Sequence, residues 1–157
     1  MNLDFERKEE INYSIIIPHK NSTVLLERCL KSIPCRKDVQ VIVVDDNSEN
    51  QEELNAVVGG FSQVELILTQ GGGAGHARNE GLKYIRGKWV LFADADDFYN
   101  KNAFSILDNY INSDNDVIYF FANSLDVNTL LPTPREKDLQ NIYEKYDSDN
   151  IRSADYI

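Results

Sequence analysis

Short apolar runs alternate along the chain with stretches whose apolar positions repeat at helical spacing. The apolar runs predict five strands, at residues 13–17, 39–44, 64–69, 89–93 and 116–122. The stretches between them predict helices, at residues 22–33, from residue 48 onward, 74–87 and 102–111. Strands that alternate with helices indicate an α/β fold, Rossmann-like, in which helices flank a mostly parallel sheet.

Local signals predict where some of these elements begin and end. Pro18 closes the first strand, because proline cannot donate a ladder hydrogen bond. Ser48 and Gln51 have the spacing of a capping box, which predicts a helix start there. Gly87 follows the third helical stretch as its C-terminal glycine.

The chain divides into three parts by its pattern. Residues 1–12 are an N-terminal extension, and residues 13–123 contain all the predicted strands. Residues 124–157 begin with a proline-containing connection and end with an amphipathic stretch, and we expect them to start a further, incomplete region. The apolar positions of that stretch are Leu139, Ile142, Tyr143 and Tyr146.

Composition restricts the class of protein. With 157 residues, 42% of them hydrophobic and 27% charged, the chain is long enough for one globular domain. Its net charge of -10 argues against nucleic acid as the main partner. No signal-peptide pattern and no membrane-length apolar run is seen, so a cytoplasmic location is expected. Cys29 and Cys35 match no metal or redox spacing and are expected to be free thiols.

Each of the first four predicted strands is followed by a polar segment. The four segments read "PHKN", "DDNS", "GGGAGHARN" and "DADD". The carboxyl ends of parallel strands lie at one edge of a sheet, and ligands of such sheets bind beyond that edge. The sequence therefore predicts a binding site built from four separate loops.

The acidic segment after the fourth strand places Asp94, Asp96 and Asp97 within four positions. Two carboxylates about 5 Å apart repel by roughly 3 kcal/mol at an effective dielectric constant near 20. A proton, a nearby Lys or Arg, or a metal ion could offset this repulsion. If the strand continues, Asp94 and Asp96 share one side and Asp97 faces away, which suits Mg²⁺ or Mn²⁺. The alternative is an acidic turn in which Asp97 caps the next helix.

The other two segments also allow two interpretations. Asp45 and Asp46 could accept hydrogen bonds from a nucleobase or a ribose, or one of them could close an Asx-turn with Ser48. The glycine-rich segment 70–81 runs into a predicted helix start, which favours phosphate, and Arg78 could pair with a diphosphate. It matches neither common phosphate-loop pattern, and the alternative is a flexible loop with Arg78 in a salt bridge.

The two histidines, His19 and His76, lie on the same predicted edge. No Cys or His partner lies near either one in the sequence, so we do not predict a zinc site. No arrangement typical of a Ser-His-Asp or Cys-His nucleophile is seen either.

Taken together, these four motifs resemble the nucleotide-binding part of a family 2 glycosyltransferase, which has the GT-A fold. The similar segments are "SIIIPHKN", "VVDDNS", "GAGHARNEG" and "DADD", in that order, within residues 13–123. The resemblance implies a nucleotide-diphosphate sugar as donor, expected to be a UDP-sugar, and Mn²⁺ or Mg²⁺ as cofactor. The acceptor would be a sugar or a glycan or lipid-linked molecule.

The resemblance also implies roles for individual residues. Pro18 with its neighbours His19 and Asn21 would line the nucleobase pocket, although the family usually has Thr, Ser or Tyr where this chain has His19 and Lys20. Asp46 would hold the base. Arg78 and Asn79 would lie near the nucleotide and diphosphate, Asp94 near the ribose or donor sugar, and Asp96, with Asp94, at the metal.

The resemblance does not extend to the acceptor half of the family. That half and its general base would lie beyond residue 157, so the chain is expected to be a fragment with little transferase activity of its own. A nucleotidyltransferase and a nucleotide-binding module without turnover are the alternatives. Assembly of identical copies, and a location at the inner face of the membrane, stay open.

Overall fold

The computed structural model describes residues 10–118 and residue 120, and the chain forms two compact units. The first unit ends at Tyr99, and its described part contains a sheet with helices. The second begins at Asn100. Its described part contains the helix α4, Ala103–Leu107, which continues as a 3₁₀ turn at Asp108–Tyr110.

Within the described residues, the sheet of the first unit has four parallel strands in the order β3-β2-β1-β4. The strands are β1, Tyr13–His19; β2, Val39–Asp45; β3, Val64–Leu68; and β4, Trp89–Phe92. The helices are α1, Thr23–Ser32; α2, Gln51–Val58; and α3, Ala74–Gly81. The predicted α/β fold with a parallel sheet is confirmed.

The helices cover both faces of the sheet. Ile16, Ile42 and Val44 form one core cluster with Ala77 of α3. β1, β2 and β3 follow one another in one direction across the sheet, whereas β4 lies on the other side of β1. Right-handed crossovers therefore place α1 and α2 on the face opposite to α3. Both central strands are buried along their whole length, which explains why their sequences are apolar at nearly every position.

β1 does not end before Pro18 as the sequence suggested. It runs on to His19, pairing with β2 along seven residues but with β4 only as far as Ile16. The carbonyl of Ile16 accepts from Ala93 on the β4 side, and the carbonyl of His19 accepts from Asp46 on the β2 side. By alternation the nitrogen of Pro18 faces the β4 side, where β4 has already ended, so the proline breaks no ladder bond.

The predicted start of α2 at Ser48 is wrong by two residues. Asn50 is the N-cap: its side chain accepts from the N–H of Glu53 and donates to the Glu53 carboxylate. The second contact joins the two side chains, so the pair resembles a capping box but lacks its bond to the backbone N–H of the N-cap. Ser48 and Gln51 instead direct their side chains toward Asp45.

The third helix is shorter than predicted. α3 ends at Gly81, and a 3₁₀ turn ends at Tyr84, whose carbonyl accepts from the side chain of Gln40. Gly87 is therefore no helix cap. It lies in the connection to β4, where its N–H donates to Ser14 Oγ and an added Cβ would lie 2.5 Å from the backbone nitrogen of Ser14.

Two further predictions concern the end of the described chain and the thiols. In the predicted fifth strand, residues 116–118 and 120 are not in a strand, and residues 119, 121 and 122 lie outside the described residues, as does the segment 124–157. Cys29 and Cys35 are free thiols, as predicted. Among the described residues, no helix has the length and apolar character needed to cross a membrane.

Candidate functional site

The loops after the four strands begin at one edge of the sheet, because all strands are parallel. The register places His19 of β1 beside Asp45 of β2, which in turn lies beside Leu68 of β3. β1 and β4 are neighbours at the place where the chain changes direction across the sheet, and this is where α/β sheets open a crevice for ligands. The described loops provide the following groups at this edge.

Asp45 lies at the centre of a group that we call the buried Asp45 cluster, formed by His19, Asp45, Ser48 and Gln51. Its carboxylate accepts from His19 Nδ1 at 2.9 Å, from the Ser48 N–H at 2.9 Å and from Gln51 Nε2 at 2.8 Å, as well as from the Ser48 hydroxyl. Burial raises the pKa of Asp45, but these hydrogen bonds outweigh it and leave the pKa below its ordinary value. Asp45 is thus an ionised group that organises the turn after β2.

His19 is buried, with both ring nitrogens engaged by the protein. Nδ1 contacts Asp45, and Nε2 accepts from the N–H of Ser22 at 3.1 Å. The sequence prediction placed this side chain on the nucleobase, and these contacts disfavour that role. Pro18, beside it, is buried within β1.

Asn21 joins the loop after β1 to the loop after β2. It adopts a left-handed backbone conformation, φ 51°, which asparagine tolerates better than most residues. Its N–H donates to Ser48 Oγ at 2.9 Å, and its side-chain oxygen accepts from the N–H of Glu49 at 2.8 Å. The predicted nucleobase residue Asn21 is therefore a bridge between the two loops in this structure.

Asp46 points out of the Asp45 cluster toward the loop after β3. Both carboxylate oxygens accept from the N–H of Gly73, at 3.0 and 3.1 Å, and Lys20 Nζ lies 3.5 Å from one of them. The two adjacent aspartates thus have separate surroundings. Asp45 holds its own turn, and Asp46 faces the glycine-rich segment.

Gly71, Gly72 and Gly73 form a turn in which all three residues have positive φ, at 95°, 141° and 85°. We call it the glycine turn. Only glycine adopts such angles without strain, which explains the run of three. A Cβ on Gly72 would also lie 2.7 Å from the ring of His76. Gly73 is the N-cap of α3, so the glycine turn leads directly into the start of a helix, as the sequence predicted.

Arg78, on α3, pairs with Asp94 in the loop after β4. The side chain of Arg78 is one-third exposed and that of Asp94 is half-exposed, so the pair is accessible. Asn79, the next residue on α3, is exposed. The alternative that Arg78 forms a salt bridge is therefore observed, and the pair lies on the edge of the sheet where a ligand would bind.

The residues Asp94–Asp97 form a tight turn, which we call the acidic turn. β4 ends at Phe92, so the expectation that Asp94 and Asp96 share one side of a continuing strand is wrong. The N–H of Asp97 donates to the carbonyl of Asp94 at 3.0 Å, and Asp97 Oδ2 accepts from the N–H of Asp94 at 3.2 Å. The side chain of Asp97 therefore turns back onto the loop instead of facing away, and it caps no helix.

Sequence reasoning missed the residues of α1 that hold the acidic turn. Arg28 donates to the carbonyl of Asp96, and its guanidinium lies 5.2 Å from the ring centre of Phe98. One helical turn later, Ser32 Oγ accepts from the N–H of Tyr99 at 2.9 Å. Arg28 and Ser32 are four residues apart on one helix face, but no motif connects either residue to a turn more than sixty positions away.

The crowded charges of the acidic turn are balanced in part by the protein. Arg78 neutralises Asp94 directly. Burial raises the pKa of Asp97, and the neighbouring Asp96 and Asp94 raise it further, while the hydrogen bond from the Asp94 N–H and the charge of Arg28 lower it. The repulsion among these carboxylates is thus reduced in two ways, by the guanidinium partner of Asp94 and by the raised pKa of Asp97.

A divalent cation fits the chemistry of this turn. Within residues 10–118 and 120, no group of three or more His, Cys, Asp or Glu side chains forms a ready metal cage. Mg²⁺ and Mn²⁺ need only one or two carboxylates when a ligand supplies phosphate oxygens. The exposed Asp94 and Asp96 offer such oxygens, so the residues present suit a metal that arrives with a phosphate ligand.

Comparison with solved structures identifies the class to which the fold belongs. The crystal structure of Staphylococcus aureus TarS aligns with a TM-score of 0.63 and 26% identity, over 79% of this chain and 23% of that chain. The structure of TarS 1–349 aligns with a TM-score of 0.63 and 27% identity, over 78% of this chain and 39% of that one. The fold is the GT-A fold of glycosyltransferases.

The sequence comparisons agree with the fold. The chain belongs to glycosyl transferase family 2, whose sequence model matches residues 14–155. A poly(ribitol-phosphate) beta-glucosyltransferase of Bacillus spizizenii is 34% identical over 57% of this chain and 16% of its own length. TarS of S. aureus, a poly(ribitol-phosphate) beta-N-acetylglucosaminyltransferase, is 38% identical over 59% of this chain and 18% of its own length. The chain spans less than a fifth of the length of these two relatives.

Proposed function

We propose that this chain is the donor-binding part of a glycosyltransferase that takes a nucleotide-diphosphate sugar, a UDP-sugar, and transfers the sugar to an acceptor hydroxyl. One observation carries the proposal. The segments that follow β2, β3 and β4 contact one another at a single edge of the sheet, through Asp46 with Gly73 and through Arg78 of α3 with Asp94. The same edge therefore offers an acceptor for a base, backbone N–H groups, and a cation paired with a carboxylate.

For the nucleoside, Asp46 is the residue we assign to the base. Its carboxylate is nearly buried but lies at the mouth of the glycine turn, where a base N–H could replace or share the contact with Gly73. Pro18 and Asn21 would form the wall beside it. This arrangement leaves Asp45 to hold the turn.

For the diphosphate, Arg78 and Asn79 lie on the first two turns of α3, directly after the glycine turn. Arg78 would divide its hydrogen bonds between Asp94 and a phosphate, which a guanidinium with five donors allows. Asp96, with Asp94, would hold Mn²⁺ or Mg²⁺. When bound, the metal would supply Lewis acid chemistry for the departing diphosphate.

The names of the relatives suggest the acceptor class. They act on poly(ribitol-phosphate) or, in Erwinia amylovora, belong to amylovoran biosynthesis. We therefore propose a hydroxyl of a glycan or polyol-phosphate polymer as acceptor. A nucleotidyltransferase would be expected to carry its phosphate loop after β1, whereas the glycine turn of this chain follows β3.

The test is titration calorimetry of the chain with UDP, with and without Mn²⁺. We expect Mn²⁺ to strengthen UDP binding in the wild type, and Asp96→Asn to remove most of that increase. Asp97→Asn is the matched control, because the amide oxygen still accepts from the N–H of Asp94. Mn²⁺-dependent binding that is unchanged in Asp96→Asn, or lost equally in both variants, would refute the assignment of Asp96.

A further inference from the structure

His19 is a buried group for which the proposed donor site has no direct use. It lies at the end of β1, and only 2% of its surface is exposed. It contacts two different segments through its two ring nitrogens: Asp45 at the end of β2, and the backbone of Ser22 just before α1. The ring therefore links a strand end to the loop that follows β1.

These contacts assign a hydrogen-bonding role to each ring nitrogen. The N–H of Ser22 points at Nε2, so Nε2 has a free lone pair and carries no proton. Nδ1, which lies 2.9 Å from the Asp45 carboxylate, then carries the proton and donates it. In this arrangement the ring donates from Nδ1 at one end and accepts at Nε2 at the other.

The contact with Ser22 shapes the short loop at residues 20–22. Its middle residue, Asn21, holds a left-handed conformation and contacts Ser48 and Glu49 of the β2 loop. The first residue, Lys20, reaches Asp46. The loop held by His19 is therefore the one that borders the residue assigned to the base.

We propose that His19 is a positioning residue of the nucleotide site, which holds the loop at residues 20–22 in its binding conformation through the hydrogen bond from Ser22 to Nε2. It does so without touching the nucleotide. This inference rests on the proposed function, and it goes further by assigning to His19 a role that acts through the backbone.

Two substitutions of His19 each keep one of its two hydrogen bonds and remove the other. Gln can place an oxygen near the position of Nε2 and so keep an acceptor for the N–H of Ser22. Asn can place its amide near Nδ1 and so keep the donor to Asp45, but it is too short to reach Ser22. His76 provides the matched control, because it is exposed and its nearest ionic partner is Glu80 at 3.7 Å.

The experiment uses the 157-residue chain in four forms: wild type, His19→Gln, His19→Asn and His76→Gln. Nitrogen NMR of the imidazoles measures the tautomer of His19, and amide hydrogen exchange measures the protection of the Ser22 N–H. Calorimetry measures UDP affinity in the presence of Mn²⁺, and thermal unfolding measures stability. We expect the proton of His19 on Nδ1 and a protected Ser22 amide in the wild type.

We expect UDP affinity to follow the Ser22 contact. His19→Gln should stay within about 2-fold of the wild type, and His19→Asn should lose roughly 2- to 10-fold, the effect of one hydrogen bond of ordinary strength. The melting temperature of His76→Gln should match that of the wild type. Affinity that follows the melting temperature across the variants, whichever contact is kept, would show a merely structural role and overturn the proposal.

Two further results would overturn it in distinguishable ways. A proton on Nε2 of His19, or an unprotected Ser22 amide, would show that the hydrogen bond is absent. Tight UDP binding that is equal in His19→Asn and the wild type would refute the role of His19 alone. No UDP binding by any form would refute the proposed function together with the role that rests on it.

Discussion

The adjacent residues Asp45 and Asp46 have different contacts, and substituting each of them gives the sharpest prediction. Asp45 accepts four hydrogen bonds and is fully buried, whereas Asp46 accepts from one backbone N–H and lies beside Lys20. In Asp45→Asn, one oxygen becomes an NH₂ group that faces donors, so two of the four contacts are lost. Each hydrogen bond to a charged group contributes about 1.5–3 kcal/mol. We expect the free energy of unfolding to fall by about 3–5 kcal/mol at pH 7.

Asp46→Asn should behave differently. The amide keeps one oxygen for the N–H of Gly73, so stability should fall by less than about 1 kcal/mol. UDP affinity should fall by about 1–3 kcal/mol, because the charged partner of the base is removed. Urea unfolding measures the first quantity and calorimetry with UDP and Mn²⁺ the second. If Asp46→Asn unfolded the protein while Asp45→Asn only weakened UDP binding, the separation of roles drawn from the contacts would be refuted.

The effect of Asp45→Asn should also depend on pH. The folded pKa of Asp45 lies below its ordinary value, so the ionised carboxylate stabilises the fold above about pH 4. That stabilisation is lost as the pH falls through the folded pKa. We therefore expect the stability difference between the wild type and Asp45→Asn to shrink in acid, as measured by urea unfolding from pH 7 downward.

Four further substitutions, one of them a control, test the fold. Gly81→Ala should destabilise the protein by about 1–3 kcal/mol in urea unfolding, because its Cβ would lie 2.6 Å from a methyl group of Ile16 in the sheet. The control Gly75→Ala, with open space around its Cβ, should be neutral or slightly stabilising. Equal losses in the two variants would contradict this packing. Asn50→Ala should cost about 1 kcal/mol through the lost cap of α2, and an unchanged melting curve would argue against Asn50 as the cap. The hydrogen bond from Arg36 is the main cause that lowers the pKa of Asp38 to about 2, so Asp38→Asn should cost about 2 kcal/mol at pH 7, and this loss should disappear between pH 4 and pH 2.

The sequence predicted the fold well because its main signal is local. Apolar runs such as 39–44 are buried on both faces, and that burial is visible in the composition of the run itself. Errors arose where a side chain had two partners to choose from. Ser48 has the spacing of a helix cap, but the buried Asp45 carboxylate competes for its hydroxyl, and the cap passes to Asn50.

The candidate site was predicted less completely, because its residues act through contacts across long separations in the chain. The four loops could be placed at one edge from parallel topology alone. The support of the acidic turn by Arg28 and the buried contacts of His19 could not, since both depend on which side chains fold back onto a distant backbone. The roles in nucleotide and metal binding stay predictions that the experiments above address.

The unequal pairing of β1 has a consequence for the chain during its synthesis. β1 can pair with β2 once the residues from Val39 onward are made, but its other edge has no partner until β4, which begins at Trp89, about 50 residues later. At ordinary translation rates this interval lasts roughly 3–10 s. Throughout it, a mostly apolar strand presents an open edge, which is a template for pairing with other nascent chains. Chains that stop before β4 should therefore aggregate or recruit a chaperone at the ribosome, whereas chains that include β4 should not.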